Sequence, residues 1–258
     1  MVKSHESIKP SVYSGLFGPT GGANYHARAL WRSDLWAQYQ FALNLQLEKF
    51  RPKRQKLLLI GPSRGRCLES NFLKKFADIT CYDIDPSAKY MFHLRHRNIS
   101  AQWKREDAFF DNASNPFSIA RIKSILSEHK NHAIVFCNVL GQLGISHRDL
   151  FNSTRGYEQK KKFSLWKNEL VTLLESRDDW FSFHDLASTS KEPANQRGKY
   201  LSGEVISELN FRSMFFDTLE KPSLRWHGWQ NKFIGHDRVM LHWPLSPRRH
   251  HFIECVGS

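Results

Sequence analysis

A glycine-rich turn and an acidic residue each follow an apolar run early in the sequence. The run LLLI (57–60) leads into GPSRG (61–65), and Asp83 comes 22 positions after Gly61, at the end of a second run. Glycine lets the backbone approach a ligand closely, and a carboxylate can accept hydrogen bonds from both vicinal hydroxyls of a ribose. Nucleotide-binding folds place the ribose-binding acid at about this offset from the glycine turn. The pair therefore predicts a site for a nucleoside-containing ligand.

The glycine turn departs from a full glycine motif at one position. In the pattern GxGxxG only Gly61 fits, because Ser63 and Arg66 take the other two places. In the shorter pattern GxGxG both Gly61 and Gly65 fit, and Ser63 alone differs. A P-loop is excluded, since no Gly-Lys-Ser or Gly-Lys-Thr follows. We expect a ligand-binding loop that is altered but retained; a plain tight turn at the two glycines is the alternative.

Further polar residues stand where later predicted strands end. Asp107 and Ala108 follow the third strand, and Asn138 closes the fourth. An acid followed by a small residue can accept from an adenine amino group while leaving room for the ring. Asn138 would then lie opposite the reactive end of the ligand. The alternatives are a solvated turn for Asp107, satisfaction of backbone groups for Asn138, and a ribose contact made by Asp85 instead of Asp83.

Strand and helix patterns alternate along most of the chain. The predicted strands are 57–60, 78–85, a short strand within 99–107, 132–140, 180–187, 214–220, 238–243 and 250–257. The predicted helices are 31–49, 67–77, 86–98, 116–130, 157–177 and 204–211. Such alternation requires a mostly parallel sheet with helices on both faces. Because loops join the last strands, we expect an antiparallel strand pair at one edge.

Two regions are predicted along the chain. Residues 1–50 comprise an arm rich in Gly, Pro and Ser followed by the first helix, and residues 51–258 form the main α/β domain. A chain of this length can bury a large core without disulfide staples.

The order of these motifs resembles the class I S-adenosylmethionine-dependent methyltransferases. The resemblance rests on LLLIGPSRG, CYDIDP, REDAFF and AIVFCNVLGQL, and covers about residues 57–143. It implies a Rossmann-like, mostly parallel seven-stranded sheet with an antiparallel C-terminal strand pair, and S-adenosyl-L-methionine as cofactor. By the same resemblance, the cofactor-binding residues are Gly61, Ser63, Gly65, Asp83, Asp107, Ala108 and Asn138. The chain departs from the family at Leu59, where an acid is usual, at Ser63, and at Asn138, where many members have Asp.

Methyl transfer from a sulfonium requires mainly alignment of donor and acceptor and exclusion of water. A strong acid–base pair is not required, so the sequence does not single out catalytic residues. The candidates are Asn138, His184, Asp185 and Tyr157. Since neighbouring residues of a strand point to opposite faces, His184 and Asp185 are not expected to face one pocket. No metal site is predicted, because the histidines show no ligand spacing.

The basic charge of the chain indicates the class of methyl acceptor that it would bind. The net charge is +13 and the pI is near 9.7, which suits nucleic acid or another polyanion. Basic clusters occur at 51–56, at 93–98 with 103–105, and at 247–251. The first of them precedes the first predicted strand, at the end of the sheet opposite the cofactor site. We expect RNA or a small molecule as acceptor. The alternative from another class is a non-catalytic nucleic-acid-binding or scaffold domain on the same fold, and a nicotinamide oxidoreductase is a third possibility.

Cysteine usage and hydropathy indicate the compartment. Cys67, Cys81, Cys137 and Cys255 form no CxxC pair, and their spacing is typical of buried thiols in a reducing cytoplasm. The sequence has no run of 18 apolar residues, and its first residues lack the apolar core of a secretion signal. We therefore expect a cytoplasmic protein without a membrane partner; its oligomeric state is not predicted.

Overall fold

The computed structural model describes residues 31, 33–110, 117–146, 148–217 and 222–258. The predicted arm at 1–29 lies outside the described residues. The helices are α1 Ser33–Lys49, α2 Ser70–Leu73, α3 Ala88–Arg95, α4 Ala120–Glu128, α5 Leu140–Ser146, α6 Arg148–Phe151, α7 Gly156–Glu175 and α8 Glu208–Phe215. Within these ranges no helix is both long and apolar enough to cross a membrane.

A single sheet organises the described chain. Its strands are β1 Lys56–Ile60, β2 Asp78–Tyr82, β3 Gln102–Lys104, β4 His132–Cys137, β5 Trp180–Thr189, β6 Lys199–Ser202, β7 Arg225–Trp226, β8 Asp237–Ser246 and β9 Arg249–Gly257. The order is β3-β2-β1-β4-β5-β9-β8-β6, and β7 pairs with β5. The first five strands are parallel, whereas β9 lies antiparallel between β5 and β8. The predicted Rossmann-like, mostly parallel sheet with an antiparallel C-terminal pair is confirmed.

Alternation along β1 divides the core between the two faces of the sheet. Leu57 and Leu59 pack with Trp36 of α1 on one face, and Leu58 and Ile60 pack with Trp166 of α7 on the other. Residues Leu57 to Ile60 are all buried, which explains why a strand covered on both faces is a continuous apolar run. Helices therefore cover both faces, as the alternation of elements predicts.

Two short strands extend the sheet beyond the seven that were expected. The first, β6, pairs with β8, and Leu201 is the one residue of this strand that is buried. The other, β7, has only two residues and pairs with Ala187 and Ser188 of β5. Strands this short and this exposed carry too little apolar alternation to be recognised from sequence.

Two predicted elements are shorter in the structure for a local reason that the hydrogen bonds and backbone angles show. The helix predicted at 67–77 is limited to α2, because turns closed by Gly65 N–H to the Pro62 carbonyl and by Leu68 N–H to the Gly65 carbonyl occupy the preceding segment. The strand predicted at 132–140 ends at Cys137, since Asn138 has a left-handed φ of 56° and a new helix begins two residues later.

The prediction of a strand at 214–220 is wrong for the residues that the structure describes, 214–217, because the first two of them belong to a helix. The Ser207 hydroxyl accepts from the Asn210 backbone N–H and begins α8. Phe211 and Phe215 then lie one helical turn apart, and both rings pack against Phe252, with centroid distances of 5.0 and 4.6 Å. The aromatic run reflects this helical packing.

A buried ionic group ties β5, β8 and β9 together. The side chains of His184, Arg238 and Glu254 are fully inaccessible to solvent. Arg238 Nη1 donates to Glu254 Oε1 at 3.1 Å, and its Nη2 donates to the Glu204 carbonyl. His184 Nε2 lies 3.2 Å from Glu254 Oε2. The guanidinium therefore compensates a carboxylate in the centre of the sheet.

Removing one member of this group should be costly. We expect Arg238→Met to lower the free energy of unfolding by about 3–5 kcal/mol, because Glu254 would be left charged and buried without its partner. Urea denaturation of Arg238→Met, of Glu254→Leu and of the double variant would measure this. The double variant should recover much of the loss; equal losses in the single and double variants would contradict the ion-pair explanation.

Candidate functional site

The turn after β1 adopts left-handed backbone at alternate positions. Gly61, Ser63 and Gly65 have φ values of 69°, 51° and 66°. Glycine reaches this region without strain, whereas a residue with a Cβ atom does so at a cost of about 1–2 kcal/mol. Ser63 thus holds the conformation that a glycine would take in the pattern GxGxG. The loop retains its glycine-type shape although one glycine is replaced.

Asp83 connects this loop to the end of β2. The Ser63 backbone N–H donates to Asp83 Oδ2 at 2.7 Å, and the Asp85 backbone N–H donates to Asp83 Oδ1 at 2.9 Å. The Asp83 residue is 8% exposed. Because β1 and β2 are parallel neighbours, both the loop and the acid lie at the carboxyl edge of the sheet, where α/β folds bind ligands.

Asp85 has a different task from Asp83. Its Oδ1 accepts from the Ser87 backbone N–H at 2.8 Å and from the Ser87 hydroxyl at 2.7 Å, just before α3. This arrangement organises the turn into the helix. The two acids therefore have different roles. Asp83 contacts the loop after β1, and Asp85 organises the turn that leads into α3.

Asp107 and Ala108 lie beyond β3 at the same edge. Asp107 Oδ1 accepts from the backbone N–H groups of Phe109 and Phe110, at 2.8 and 3.1 Å. These bonds make it a turn-forming acid, which is the alternative considered from sequence, and Ala108 is buried behind it. Neighbouring Glu106 is exposed and pairs with Arg121. An adenine contact by Asp107 stays a prediction.

Asn138 is directed towards β5. Its Oδ1 accepts from the Asp185 backbone N–H at 2.8 Å, and its Nδ2 lies 3.4 Å from Asp185 Oδ2. A Cβ atom on Gly61 would lie 3.1 Å from Val139 Cβ and 3.6 Å from the Cys137 carbonyl oxygen. The turns after β1 and β4 are therefore in contact, and Asn138 links them to Asp185 in the middle of β5.

Asp185 and His184 point to opposite faces of β5, as alternation requires. The His184 ring packs near Trp229, with a centroid distance of 5.7 Å. Asp185 Oδ1 instead contacts His251 Nδ1 at 2.7 Å. Burial acts to raise the pKa of Asp185, but His251, His227 and the Asn138 amide together lower it below its ordinary value. The carboxylate is thus ionised in a buried setting.

Tyr157, unlike Asn138 and Asp185, is an exposed residue. It stands in the first turn of α7, and the residue is 83% exposed. Trp229, by contrast, is fully buried and donates through Nε1 to the Leu140 carbonyl at 2.7 Å. Trp229, the last residue of the segment RWHGW (225–229), therefore packs in the protein interior.

Sequence reasoning missed His251 and His227 as partners of Asp185. In the sequence, both histidines lack ligand spacing, and His251 also falls in the basic cluster at 247–251. In the structure His251 lies opposite Ser188 through the β5–β9 register, and His227 Nε2 lies 3.1 Å from the Ser188 hydroxyl. The register joins residues 66 positions apart, as for Asp185 and His251, so no local signal exists for it.

The basic clusters occupy different environments. Asp179 accepts from the backbone N–H groups of Lys53 and Arg54 and pairs with the Arg54 guanidinium at 3.1 Å. This places 51–56 at the amino edge, as expected. Trp103 packs against Phe92 at a centroid distance of 5.3 Å, so its ring is engaged with the core. The tip of the β8–β9 hairpin, including Arg248, is exposed at the carboxyl end of β5.

The described residues contain no group of three or more His, Cys, Asp or Glu side chains suited to a metal ion. All four cysteines are free and buried. An open depression is lined by Glu69, Ser70, Asn71, Arg95 and His96. There, Ser70 Oγ and His96 Nδ1 are 2.8 Å apart, which fixes the ring that packs under Gly65.

Comparisons with known proteins give distant similarities only. No family model and no curated protein matches the sequence. Among solved structures, the chain is similar to the N-methyltransferase NodS from Bradyrhizobium japonicum WM9 in complex with S-adenosyl-L-homocysteine, with 12% identity, a TM-score of 0.45, and coverage of 98% of this chain and 99% of that one.

Two further solved structures are similar at the same level. Magnesium protoporphyrin IX methyltransferase from Synechocystis PCC 6803 shares 10% identity over 96% of this chain and 90% of that one, with a TM-score of 0.37. The 1,6-didemethyltoxoflavin-N1-methyltransferase from Burkholderia thailandensis shares 13% identity over 91% and 83%, with a TM-score of 0.41. Since these scores lie below 0.5, the fold assignment stands on the strand order and register alone.

Glycine replacements should separate backbone strain from crowding. A Cβ atom at Gly65 would lie 2.7 Å from both His96 Nε2 and the Phe92 ring. We expect Gly61→Ala to lower the free energy of unfolding by about 1–2 kcal/mol and Gly65→Ala by about 2–4 kcal/mol. Gly235→Ala is the matched control, because its φ is also positive but nothing lies within 4 Å. Equal losses at all three positions in urea denaturation would contradict the crowding argument.

Buried histidines should make the fold sensitive to acid. Burial lowers the pKa of both His227 and His242 to about 4. Between their ordinary pKa of about 6.5 and pH 4, the unfolded chain binds these protons and the folded chain does not. Their contribution is therefore present above pH 6.5 and is lost as the pH falls towards 4, on the order of 3 kcal/mol for each histidine.

Urea denaturation at pH 7 and pH 5 would measure this dependence. His242→Gln, which cannot titrate, should reduce the difference between the two pH values. His93→Gln on α3 serves as the control for loss of a histidine. A wild-type free energy of unfolding that does not fall at pH 5 would refute the prediction.

Proposed function

We propose that this chain is an S-adenosylmethionine-dependent methyltransferase of the class I family. Three features support the proposal: the strand order, the left-handed turn after β1, and an acid at the end of β2. In open α/β sheets the ligand crevice lies at the carboxyl edge, where the direction of strand order reverses. Here that point is between β1 and β4, and the turns after these strands are in contact.

The single observation that carries the proposal is the hydrogen bond from the Ser63 backbone N–H to Asp83 Oδ2. It brings the loop that would approach the cofactor against the carboxylate that would hold its ribose. A carboxylate can accept about four hydrogen bonds, so backbone amides orient the Asp83 group in a manner compatible with ribose binding. Glycine at 61 and 65 keeps the loop close to its neighbours.

The residues at this edge fit the chemistry of the cofactor. Asp83 would accept from the ribose hydroxyls, and the turn at 61–65 would lie along the amino acid part of the ligand. Asp107 and Ala108 would border the adenine, and Asn138 would line the crevice from β4. When bound, the cofactor supplies an electrophilic methyl group on a sulfonium. The chain itself then aligns the acceptor and excludes water.

The acceptor and compartment are part of the same proposal. The net charge of +13 supports RNA, or alternatively a small molecule, as acceptor. Four free, buried cysteines support a reducing compartment such as the cytoplasm.

Calorimetric titration with S-adenosylhomocysteine tests the proposal directly. We expect micromolar affinity for the wild type and a loss of at least about tenfold in Asp83→Asn, since one charge-assisted hydrogen bond is worth more than that factor. Asp78→Asn is the matched control, because it changes an aspartate at the opposite end of the same strand. NADH should not bind.

Circular dichroism must show that each variant is folded before the affinities are compared. Failure of the folded wild type to bind S-adenosylhomocysteine would overturn the proposal. So would tight NADH binding, which would favour a nicotinamide enzyme instead. Equal weakening by Asp78→Asn and Asp83→Asn would remove the specific role given to Asp83.

A further inference from the structure

A chain of hydrogen bonds extends from the β4 turn to the hairpin tip. Asn138 contacts Asp185, Asp185 Oδ1 contacts His251 Nδ1 at 2.7 Å, and Arg249 Nε donates to His251 Nε2 at 3.1 Å. Asp185 and His251 are almost completely buried, at 3% and 4% exposure. Arg249 is exposed at the start of β9. The chain therefore connects the interior of the sheet with its surface.

The two contacts of the His251 ring indicate which ring nitrogen donates and which accepts. An ionised carboxylate only accepts hydrogen bonds, so the ring must carry its hydrogen on Nδ1. An arginine only donates, so Nε2 must present a lone pair to Arg249. In this hydrogen-bond pattern Nε2 is the acceptor nitrogen of His251, and it faces the exposed side chain of Arg249 on the hairpin. This is the arrangement in which an acid orients a histidine as a base.

The surroundings of the ring are cationic. The His227 and His251 rings are stacked with centroids 5.9 Å apart. Burial is the main cause that lowers the pKa of His227; Asp185 opposes it, and the charges of Arg225 and Arg249 lower the pKa further. Trp243 of β8 contacts the remaining side of His251, with centroids 6.0 Å apart. Among the described contacts, the carboxylate bonded to His251 is that of Asp185. A developing negative charge on oxygen near Nε2 would be stabilised by the Arg249 guanidinium beside it.

The same residues lie beside the crevice of the proposed cofactor site. Asn138 stands between Cys137 and Val139, which contact the Gly61 turn, and it is bonded to Asp185. The His251 ring is therefore connected to the Gly61 turn through a series of contacts that passes through Asn138 and Asp185. Of the residues assigned to the cofactor, Asn138 touches this chain of hydrogen bonds, through Asp185, and none of the described contacts joins any of them to His251 itself.

We propose that His251, oriented by Asp185, is the general base for a hydroxyl acceptor, and that Arg249 covers Nε2 until the acceptor replaces it. This inference rests on the proposed methyltransferase function. The acceptor oxygen bonds to the methyl carbon while the carbon–sulfur bond breaks, its electron pair staying on sulfur. The hydroxyl proton passes to His251 Nε2, giving an imidazolium that Asp185 stabilises. An oxygen acceptor fits best, because a hydroxyl must lose its proton as the new bond forms.

The first experiment reads the ring directly and needs neither cofactor nor acceptor. Two-dimensional ¹H–¹⁵N spectra of the folded protein at pH 7.5 should show His251 as the Nδ1–H tautomer. Asp185→Asn should raise the population of the Nε2–H tautomer, because the amide can donate to Nδ1. A wild-type ring protonated on Nε2 would overturn the proposal, whatever the outcome of the cofactor titration.

The second experiment probes the nucleophilic lone pair with diethyl pyrocarbonate, followed by peptide mass spectrometry. We expect Arg249→Ala to speed modification of His251 about tenfold, because a charge-assisted hydrogen bond to Nε2 is removed. Arg248→Ala, at the neighbouring exposed position, is the matched control and should leave the rate unchanged.

Two outcomes would count against the base. His251 that stays unmodified in Arg249→Ala would show that Nε2 is not reachable. Equal acceleration in Arg248→Ala would show that loosening of the hairpin, and not release of Nε2, exposes the ring. Because neither readout involves S-adenosylhomocysteine, failure here is distinguishable from failure of the proposed function.

Discussion

The hydrogen bond between the Ser63 backbone and the Asp83 carboxylate is the constraint on which the candidate site depends. It joins the turns after two neighbouring parallel strands at 2.7 Å. Without it, a left-handed serine would be strained without a compensating contact, and a nearly buried acid would lose one of its donors. The conformation of the loop and the orientation of the Asp83 side chain therefore depend on each other. Both also depend on the register of β1 and β2.

The sequence predicts best what short stretches determine. The run of β4, in which every residue from His132 to Cys137 is buried, is evident from composition alone. The same holds for the glycine turn, because left-handed backbone calls for glycine at 61 and 65. The spacing of Gly61 and Asp83 further predicts that they meet, since parallel neighbouring strands end at one edge.

Long-range register explains what the sequence does not predict. Asn138 was expected to face a ligand, yet its amide is bonded to Asp185 on the adjacent strand. Asp185 in turn finds His251 through the position of β9, which no local pattern encodes. The helix predicted at 204–211 spans Glu208–Phe215 in the structure. Its last turn was missed, because adjacent Phe215 and Phe216 have the composition of a strand until Phe252 is known to pack against them.

The position of β9 has a consequence for how the chain folds. This strand follows β8 in sequence but lies between β5 and β8, so it contributes hydrogen bonds on both sides. Until it is in place, β5 presents an open edge along much of its length, and open edges invite pairing with other molecules. Contacts of such large sequence separation form slowly. The strand that delivers His251 to Asp185 therefore also governs how long the folding chain is vulnerable to aggregation.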